Sequence, residues 1–276
     1  MTKKNIITMS KKGLCLADLF GLTVSGASIE RVTEEILDRV ERGERAFIAT
    51  PNPEFIVFAR KHEWFAGCLR RATLSVVDGT GLMLASWLLL GFRRGVKRRV
   101  SGVDLMERLC AEAEKRHQTV YLIGGVEGAA EACFRKLQDR FPRLLGWTEV
   151  GPKLNLDPET GEWEAESKRE LTESLCSINQ KNPDLLFVAL GMGKQEKFIC
   201  DLWPELEVGA AVGVGGAFDY ISGRVKRAPV LVRALGLEWF YRLLREPWRW
   251  RRQLALLEFV KIVFRERFSR VESNDG

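Results

Sequence analysis

Leu185-Leu186-Phe187-Val188-Ala189-Leu190 runs straight into Gly191-Met192-Gly193, and Ala210-Ala211-Val212-Gly213-Val214 runs into Gly215-Gly216. A short continuous apolar run that stops at a glycine turn is the pattern of a strand buried on both faces. The same pattern recurs upstream: Ala46 to Thr50 precedes Pro51-Asn52, Leu74 to Val77 precedes Asp78-Gly79-Thr80-Gly81, and Val120 to Ile123 precedes Gly124-Gly125. Helical repeats such as Leu105/Leu109/Ala113 and Cys133/Leu137/Phe141 lie between the runs. Ser28 is placed to cap a helix carrying Ile29, Val32, Ile36 and Val40. Strand and helix alternating in this way predict an α/β fold, a doubly wound, mainly parallel sheet with helices on both faces.

In such a sheet the carboxyl ends of the strands form the ligand crevice, where glycine lets backbone N–H groups approach phosphate closely. Several glycine turns on one edge favour a nucleotide or other phosphorylated ligand. Each glycine taken singly is equally explained by the closure of a tight strand-to-helix turn.

Charged residues are 29% and hydrophobic ones 46% of the 276, ordinary globular usage that excludes a disordered or fibrous chain. The charge is concentrated. Residues 240–270 hold nine Lys/Arg against three Asp/Glu, which equals the whole formal net charge of +6. A cationic segment of this kind seeks phosphates, on nucleic acid, lipid headgroups or a diphosphate substrate. Within it Arg242, Arg245, Arg249 and Arg252 recur at helical spacing, with a break expected near Glu246-Pro247. Beyond the break, Leu254, Leu257, Phe259, Val260, Ile262, Val263 and Phe264 are bordered by Trp248, Trp250 and several cations. That suits either a bilayer surface or a core-packing helix with a solvated basic face.

Met1 to Gly13 carries lysines but no apolar stretch of a signal peptide, and the longest apolar run, Leu82 to Phe92, has eleven residues where a spanning helix needs about twenty. The expectation is a cytoplasmic, soluble or peripheral protein. Cys15, Cys68, Cys110, Cys133, Cys176 and Cys200 show no C-x-x-C pairing and read as reduced residues of a cytosolic chain. His62 and His117 are far apart, and neither zinc-ligand spacing nor an Asp-x-Asp motif is present, so no metal site is expected. The turn Gly213-Val214-Gly215-Gly216-Ala217-Phe218 ends in Phe where a dinucleotide fingerprint needs a third glycine. Three segments complete the layout: a core over 14–230, a basic helical part over 231–270 that begins after Arg227-Ala228-Pro229, and disordered ends at 1–13 and 271–276. The polar, turn-rich stretch 151–168 reads as an exposed loop.

The polar residues at the strand ends form a specific set: Thr50-Pro51-Asn52-Pro53-Glu54, Val77-Asp78-Gly79-Thr80-Gly81 and Arg98-Arg99-Val100-Ser101-Gly102-Val103-Asp104-Leu105. Later come Gly191-Met192-Gly193-Lys194-Gln195-Glu196-Lys197, Gly213 to Asp219, Lys226-Arg227-Ala228-Pro229, and Gly236 to Arg249 with its Glu238-Trp239 and Glu246-Pro247 pairs. Together, from about Leu19 to Arg252, they resemble the WecG/TagA/CpsF family of bacterial glycosyltransferases.

The resemblance implies a Rossmann-like core with a C-terminal helical membrane-targeting appendage. It also implies an inverting, metal-independent enzyme without a cofactor. Such an enzyme moves N-acetylmannosamine, N-acetylmannosaminuronic acid or a related sugar from UDP to a polyprenyl-diphosphate-linked saccharide, often bearing N-acetylglucosamine. The products serve teichoic acid, common antigen or exopolysaccharide synthesis, and the working place is the inner face of the plasma membrane. By the match Asp78 looks like the general base, a role that inverting transfer requires; an Asp before Gly at such a turn also commonly caps the next helix. Thr50 and Asn52 look like sugar-facing residues, with turn formation as the alternative for Asn52. Arg99 and Gln195 match candidates for neutralising the departing UDP, with surface solvation as the alternative for Arg99. Gly191, Gly213, Gly215, Gly216 and Asp219 fall on the UDP-sugar side. Arg242, Arg249 and Arg252 are carried over as residues that close the pocket on the acceptor diphosphate.

The chain departs from the family pattern at Val77, where Pro is commoner, at Met192-Gly193, where Ala-Pro is commoner, and in the long loop after Gly151. Expected partners are a UDP-sugar, the lipid-linked acceptor and an anionic membrane surface, with no nucleic acid and with homo-oligomers left open. Two rival readings are a nucleic-acid-binding protein that uses the basic tail, and a non-catalytic membrane scaffold.

Overall fold

Apolar runs too short for helices and bounded by turns can satisfy their backbone only by pairing with one another, and the parallel sheet is the result. A computed structural model of the chain describes residues 14, 16–245 and 250–272, without the side chains of 251–253 and 270–272. The five expected strands are β3 (Ala46–Ala49), β4 (Leu74–Val76), β5 (Thr119–Gly124), β7 (Leu185–Ala189) and β8 (Ala210–Gly213). Three more complete the sheet: β1 (Leu16–Leu19), β2 (Leu22–Ser25) and β6 (Leu145–Glu149). The order is β1-β2-β4-β3-β8-β7-β5-β6, parallel throughout except for the β1/β2 hairpin at one edge. That hairpin turns through Phe20 (φ 56°) and Gly21 (φ 78°).

Helices alternate with the strands: α1 (Ile29–Glu41), α2 (Pro53–Lys61), α3 (Glu63–Arg70), α4 (Thr80–Leu90), α5 (Gly102–Lys115), α6 (Ala129–Arg140), α7 (Ala165–Lys181), α8 (Lys194–Leu202) and α9 (Ala217–Ile221). The expected cap on α1 is formed, with Ser28 Oγ accepting from Arg31 N. Side chains alternate across the sheet and sort the core into two layers. Ala46, Ile48, Val120, Leu122 and Phe187 pack with Val32, Ile36, Leu105 and Leu109 of α1 and α5. Their neighbours Phe47, Tyr121 and Leu186 face the other way, toward Ile178 of α7 and Phe198 and Ile199 of α8. On that second face Ala49 joins Phe55, Phe65 and Leu82, from α2, α3 and α4.

After Pro229 the chain is helical: α10 (Val230–Ala234), α11 (Glu238–Arg245) and α12 (Trp250–Glu272). The break expected near Pro247 falls on residues 246–249, outside the described residues. α12 lies back on the core, where Phe259 and Val263 are buried in the cluster that holds Phe55 and Leu82, and Phe259 meets the ring of Phe20 edge-on at 5.8 Å. Leu254, Leu257, Val260, Phe264 and Phe268 of the same helix stay exposed. Among the described residues no helix is long and apolar enough to cross a membrane.

Candidate active site

β3 sends the chain toward β4 on one side of the sheet, while β8 arrives from β7 on the other. The turns after these central strands diverge and leave a crevice, as the doubly wound topology requires. A cavity of about 1120 Å³ occupies it. Thr50, Asn52, Asp78, Arg99, Gly191, Gln195, Gly215, Gly216, Asp219 and Arg242, ten of the residues singled out in the sequence, all line it. Gly213 lies behind the wall. Its carbonyl accepts from Thr50 Oγ1 at 3.3 Å, and a Cβ there would come within 2.8 Å of Gln195 Nε2. Arg249 lies outside the described residues, and Arg252 is placed only as backbone of α12.

Asp78 follows β4, and its backbone N–H donates to Pro51 O at 2.9 Å, which locks the turns after β3 and β4 together. It does not cap α4: the N-cap there is Gly79, at φ 87°, with no side-chain cap bond. Its carboxylate instead accepts from the backbone N–H of Gly102, the first residue of α5. Burial pushes the Asp78 carboxyl up to about 6, and nearby Glu238 pushes the same way. The Gly102 N–H and Arg99 oppose them without prevailing. A carboxylate that ionises near neutrality beside an open cavity is suited to take a proton there. Asn52 serves structure as well, since its Oδ1 caps α2 by accepting from Phe55 N at 3.2 Å, ahead of Pro53 at the first helical position.

One wall comes from the far end of the chain. Arg99 donates through Nη2 to the carbonyl of Arg233, and Thr80 Oγ1 donates to Gly236 O at 3.1 Å. Arg227 binds both Asp104 oxygens (2.5 and 2.9 Å), Ser101 Oγ at 3.0 Å and Glu238 at 3.2 Å. Burial raises the Asp104 carboxyl, but the hydrogen bonds from Arg227 and Ser101 outweigh it and hold the group below the usual carboxylate range. Arg242 lies over the Tyr220 ring at 5.2 Å, on the side of Gly216.

The opposite end is built around a buried pair. Gln195 Oε1 accepts from Gly215 N at 2.9 Å, Gln195 Nε2 donates to Glu196 Oε1 at 2.6 Å, and Glu196 Oε2 accepts from Gly193 N at 2.7 Å. Glu196, only 1% exposed, is pushed up to about 7 by burial despite these donors. Several amides expected to meet phosphate are thus engaged within the fold: Gly193 and Gly215 as above, Gly125 on Ala189 O and Ala217 on Val214 O. These four amides hold the turns that shape the wall.

The loop after β6 is part of the site. Gly151, Lys153 and Asn155 line the cavity, Leu154 and Trp163 are buried, Trp163 Nε1 donates to Asp201 at 2.7 Å, and Trp64 Nε1 donates to Pro158 O at 3.0 Å. Sequence reasoning gave no role to Glu196, Glu238 or Lys153. The first two stand inside the motifs quoted above, which is the signal that could have found them. Among the described residues no three His, Cys, Asp or Glu side chains converge as metal ligands would.

The sequence matches the glycosyl transferase WecG/TagA/CpsF family over residues 17–273. It is 30% identical over 223 residues, 80% of each chain, to an N-acetylglucosaminyldiphosphoundecaprenol N-acetyl-beta-D-mannosaminyltransferase of Bacillus subtilis (strain 168). It is 30% identical over 237 residues, 85% of each chain, to a protein of the same name from Staphylococcus aureus (strain MW2). A family match that runs from β1 to the end of α12, across every element of the cavity wall, makes this chain a glycosyltransferase of the WecG/TagA/CpsF family.

Proposed function

We propose that the protein transfers N-acetylmannosamine, or a closely related sugar, from UDP to the sugar of a polyprenyl-diphosphate-linked acceptor such as GlcNAc-diphosphoundecaprenol. The observation that carries this reading is Asp78, a carboxyl raised to about 6 on the wall of a cavity shared with Thr50, Asn52, Arg99, Gln195 and Asp219. In the step proposed, the acceptor hydroxyl oxygen attacks the anomeric carbon while its proton passes to the Asp78 carboxylate. The bond from that carbon to the β-phosphate oxygen breaks, and UDP leaves. Attack opposite the leaving group inverts the centre, so a donor linked α to UDP gives the β-mannosaminyl product named for the relatives. Arg99, Arg242 and Lys194 supply positive charge around the departing diphosphate, and no metal is required. In this reading Gln195 helps to neutralise the departing UDP, and Asp219 with the turn from Gly213 takes the uridine side.

The enzyme works as a peripheral protein on the inner face of the plasma membrane. Exposed Trp239, Phe240, Leu244, Leu254 and Leu257, interleaved with exposed Arg245, Lys261, Arg265 and Arg267, support this placement. A transfer assay of radiolabelled UDP-sugars against a short-chain polyprenyl-diphosphate-GlcNAc tests the reading, with N-acetylmannosamine expected as the transferred sugar. Wild-type protein that moves no sugar, or an Asp78→Asn variant as active as wild type, refutes it; the second result favours a scaffold.

A further inference from the structure

The cavity is not polar throughout. α4 reads Thr-Gly-Leu-Met-Leu-Ala-Ser-Trp-Leu-Leu-Leu over residues 80–90, without a single charge. Its buried side is accounted for by Leu82, Ala85 and Leu89, which pack into the core. Leu84 and Leu88, one turn apart, are 54% and 42% exposed, and both line the cavity. Facing them along α12, Val260, Val263 and Phe264 line the same cavity at the spacing of one helical stripe, with Val260 and Phe264 about half exposed. The space therefore has a polar head at the strand ends, with Asp78 and Arg99, and an apolar gutter running out between two helices.

At 1.5 Å rise per residue, Gly81 to Leu88 spans about 10 Å and Leu256 to Phe264 about 12 Å, long enough for about two isoprene units. Exposed leucines scattered singly need no explanation, but an apolar channel continuous with a catalytic cavity is a binding feature. An acceptor that carries its reacting sugar on a diphosphate must lead its hydrocarbon out of the polar end, and the gutter starts where the diphosphate would finish.

We infer that the gutter between α4 and α12 is a binding subsite for the isoprenyl chain of the acceptor itself, holding the units next to the diphosphate. This rests on the function proposed above. The protein thus grips the start of the lipid directly, and only the remainder stays in the bilayer.

The test uses the full chain in detergent-free, vesicle-free solution, with GlcNAc-diphosphate acceptors ending in methyl, geranyl or farnesyl. For wild type the acceptor KM is expected to fall at least about tenfold from methyl to geranyl, because each buried methylene adds to affinity. In Leu88→Ser and in Leu84→Ser, both at exposed positions, the KM for the geranyl acceptor should rise to that for the methyl acceptor. Phe268→Ser, equally apolar and exposed but off the cavity, should keep the chain-length dependence. A wild-type KM indifferent to the chain overturns the inference. So does a Leu88→Ser protein that loses vesicle binding yet keeps the geranyl preference, which would assign the gutter to bilayer lipid. Retention of the preference in both leucine variants overturns it too. Wild-type protein silent with the methyl acceptor as well as the longer ones refutes the proposed function beneath it, a result distinguishable from all of these.

Discussion

Asp78→Asn tests the catalytic reading and its energetic cost in one protein. An aspartate free in water ionises near 3.8, whereas burial and Glu238 bring Asp78 to about 6. At pH 5 only about one tenth of such a group is ionised, against more than about nine tenths of an ordinary aspartate. If Asp78 takes the proton, kcat/KM should drop about tenfold between pH 7.5 and pH 5, an acid limb that an unperturbed base would not show. Glu238→Gln, which removes a neighbouring negative charge but keeps an acceptor for Arg227, should move that limb to lower pH. Stability follows with the opposite sign from the usual carboxylate. The folded state holds the proton more tightly than the unfolded chain, so the charged side chain costs nothing below about pH 3.8, and the full cost is present above about pH 6. The rise corresponds to about 3 kcal/mol. Asn keeps an oxygen for the Gly102 N–H and carries no charge. The variant should therefore lose turnover by roughly 10²–10⁴-fold and melt a few degrees higher than wild type at pH 8 but not at pH 4. Calorimetry and initial rates across pH read both. An acid limb centred near 4, or a variant no more stable at pH 8 than at pH 4, would refute the argument from burial.

Gly213→Ala should raise the Kd for UDP at least about tenfold, measured by calorimetry, because its Cβ would stand 2.8 Å from Gln195 Nε2 and 3.0 Å from Glu196 Oε1 and displace the pair that holds the Gly193 and Gly215 turns. Transfer in excess EDTA should proceed at the untreated rate; loss of activity restored by Mg²⁺ or Mn²⁺ would show that a cation is required. Arg227→Ala should lower stability by about 1–2 kcal/mol in chemical denaturation, since it removes the cation shared by Asp104 and Glu238, both partly exposed, and leaves Asp104 only the Arg233 cation at 3.7 Å. The Asp104 part of that contribution is present at neutral pH and lost as pH falls through its lowered pKa, so wild type and variant should converge in acid.

The five central strands are legible because burial on both faces keeps them mostly apolar: β3 and β7 are apolar at every position, and β4 carries one polar residue, the buried Ser75. The hairpin of β1 and β2 is not, because its two-residue turn puts Phe20, a residue that rarely adopts positive φ, where Asn or Gly is the usual signal. β6 hides for a different reason. It is an edge strand carrying Gly146, Thr148 and Glu149, and its glycine is there because a Cβ would meet Val120 O at 2.3 Å, a contact invisible without the fold. At the site, Asp78 shows itself through its turn and the family motif. The burial that tunes it, the Gly102 N–H it accepts from, and the approach of Glu238 from 160 residues away are tertiary facts. The same holds for Glu196, which reads as one charge in a polar Lys-Gln-Glu-Lys run and turns out to be buried behind the cavity wall.

α12 answers to two environments, and that decides how a membrane role can be tested. Phe259 and Val263 belong to the core, so deleting the tail would expose Leu82 and Phe55 and confuse lost docking with lost folding. The ion pairs Arg60–Glu266 and Lys61–Glu258, both at 2.9 Å, lie on the surface and contribute little beside that burial. The informative changes are at exposed positions away from the core face. Arg265→Glu combined with Arg267→Glu alters the charge at the proposed bilayer contact by four. This is worth on the order of 4 kcal/mol at low salt, where each basic residue near an anionic surface adds about 1. The melting temperature should stay within about a degree of wild type, since exposed substitutions of this kind rarely change stability by more than about 0.5 kcal/mol. Sedimentation with phosphatidylglycerol vesicles should fall by well over tenfold. Wild-type binding should itself weaken as salt rises, because screening shortens the reach of every surface charge. If the doubly substituted protein sediments as wild type does at low salt, the basic face of α12 is only solvated surface, and whatever brings the enzyme to its acceptor lies elsewhere.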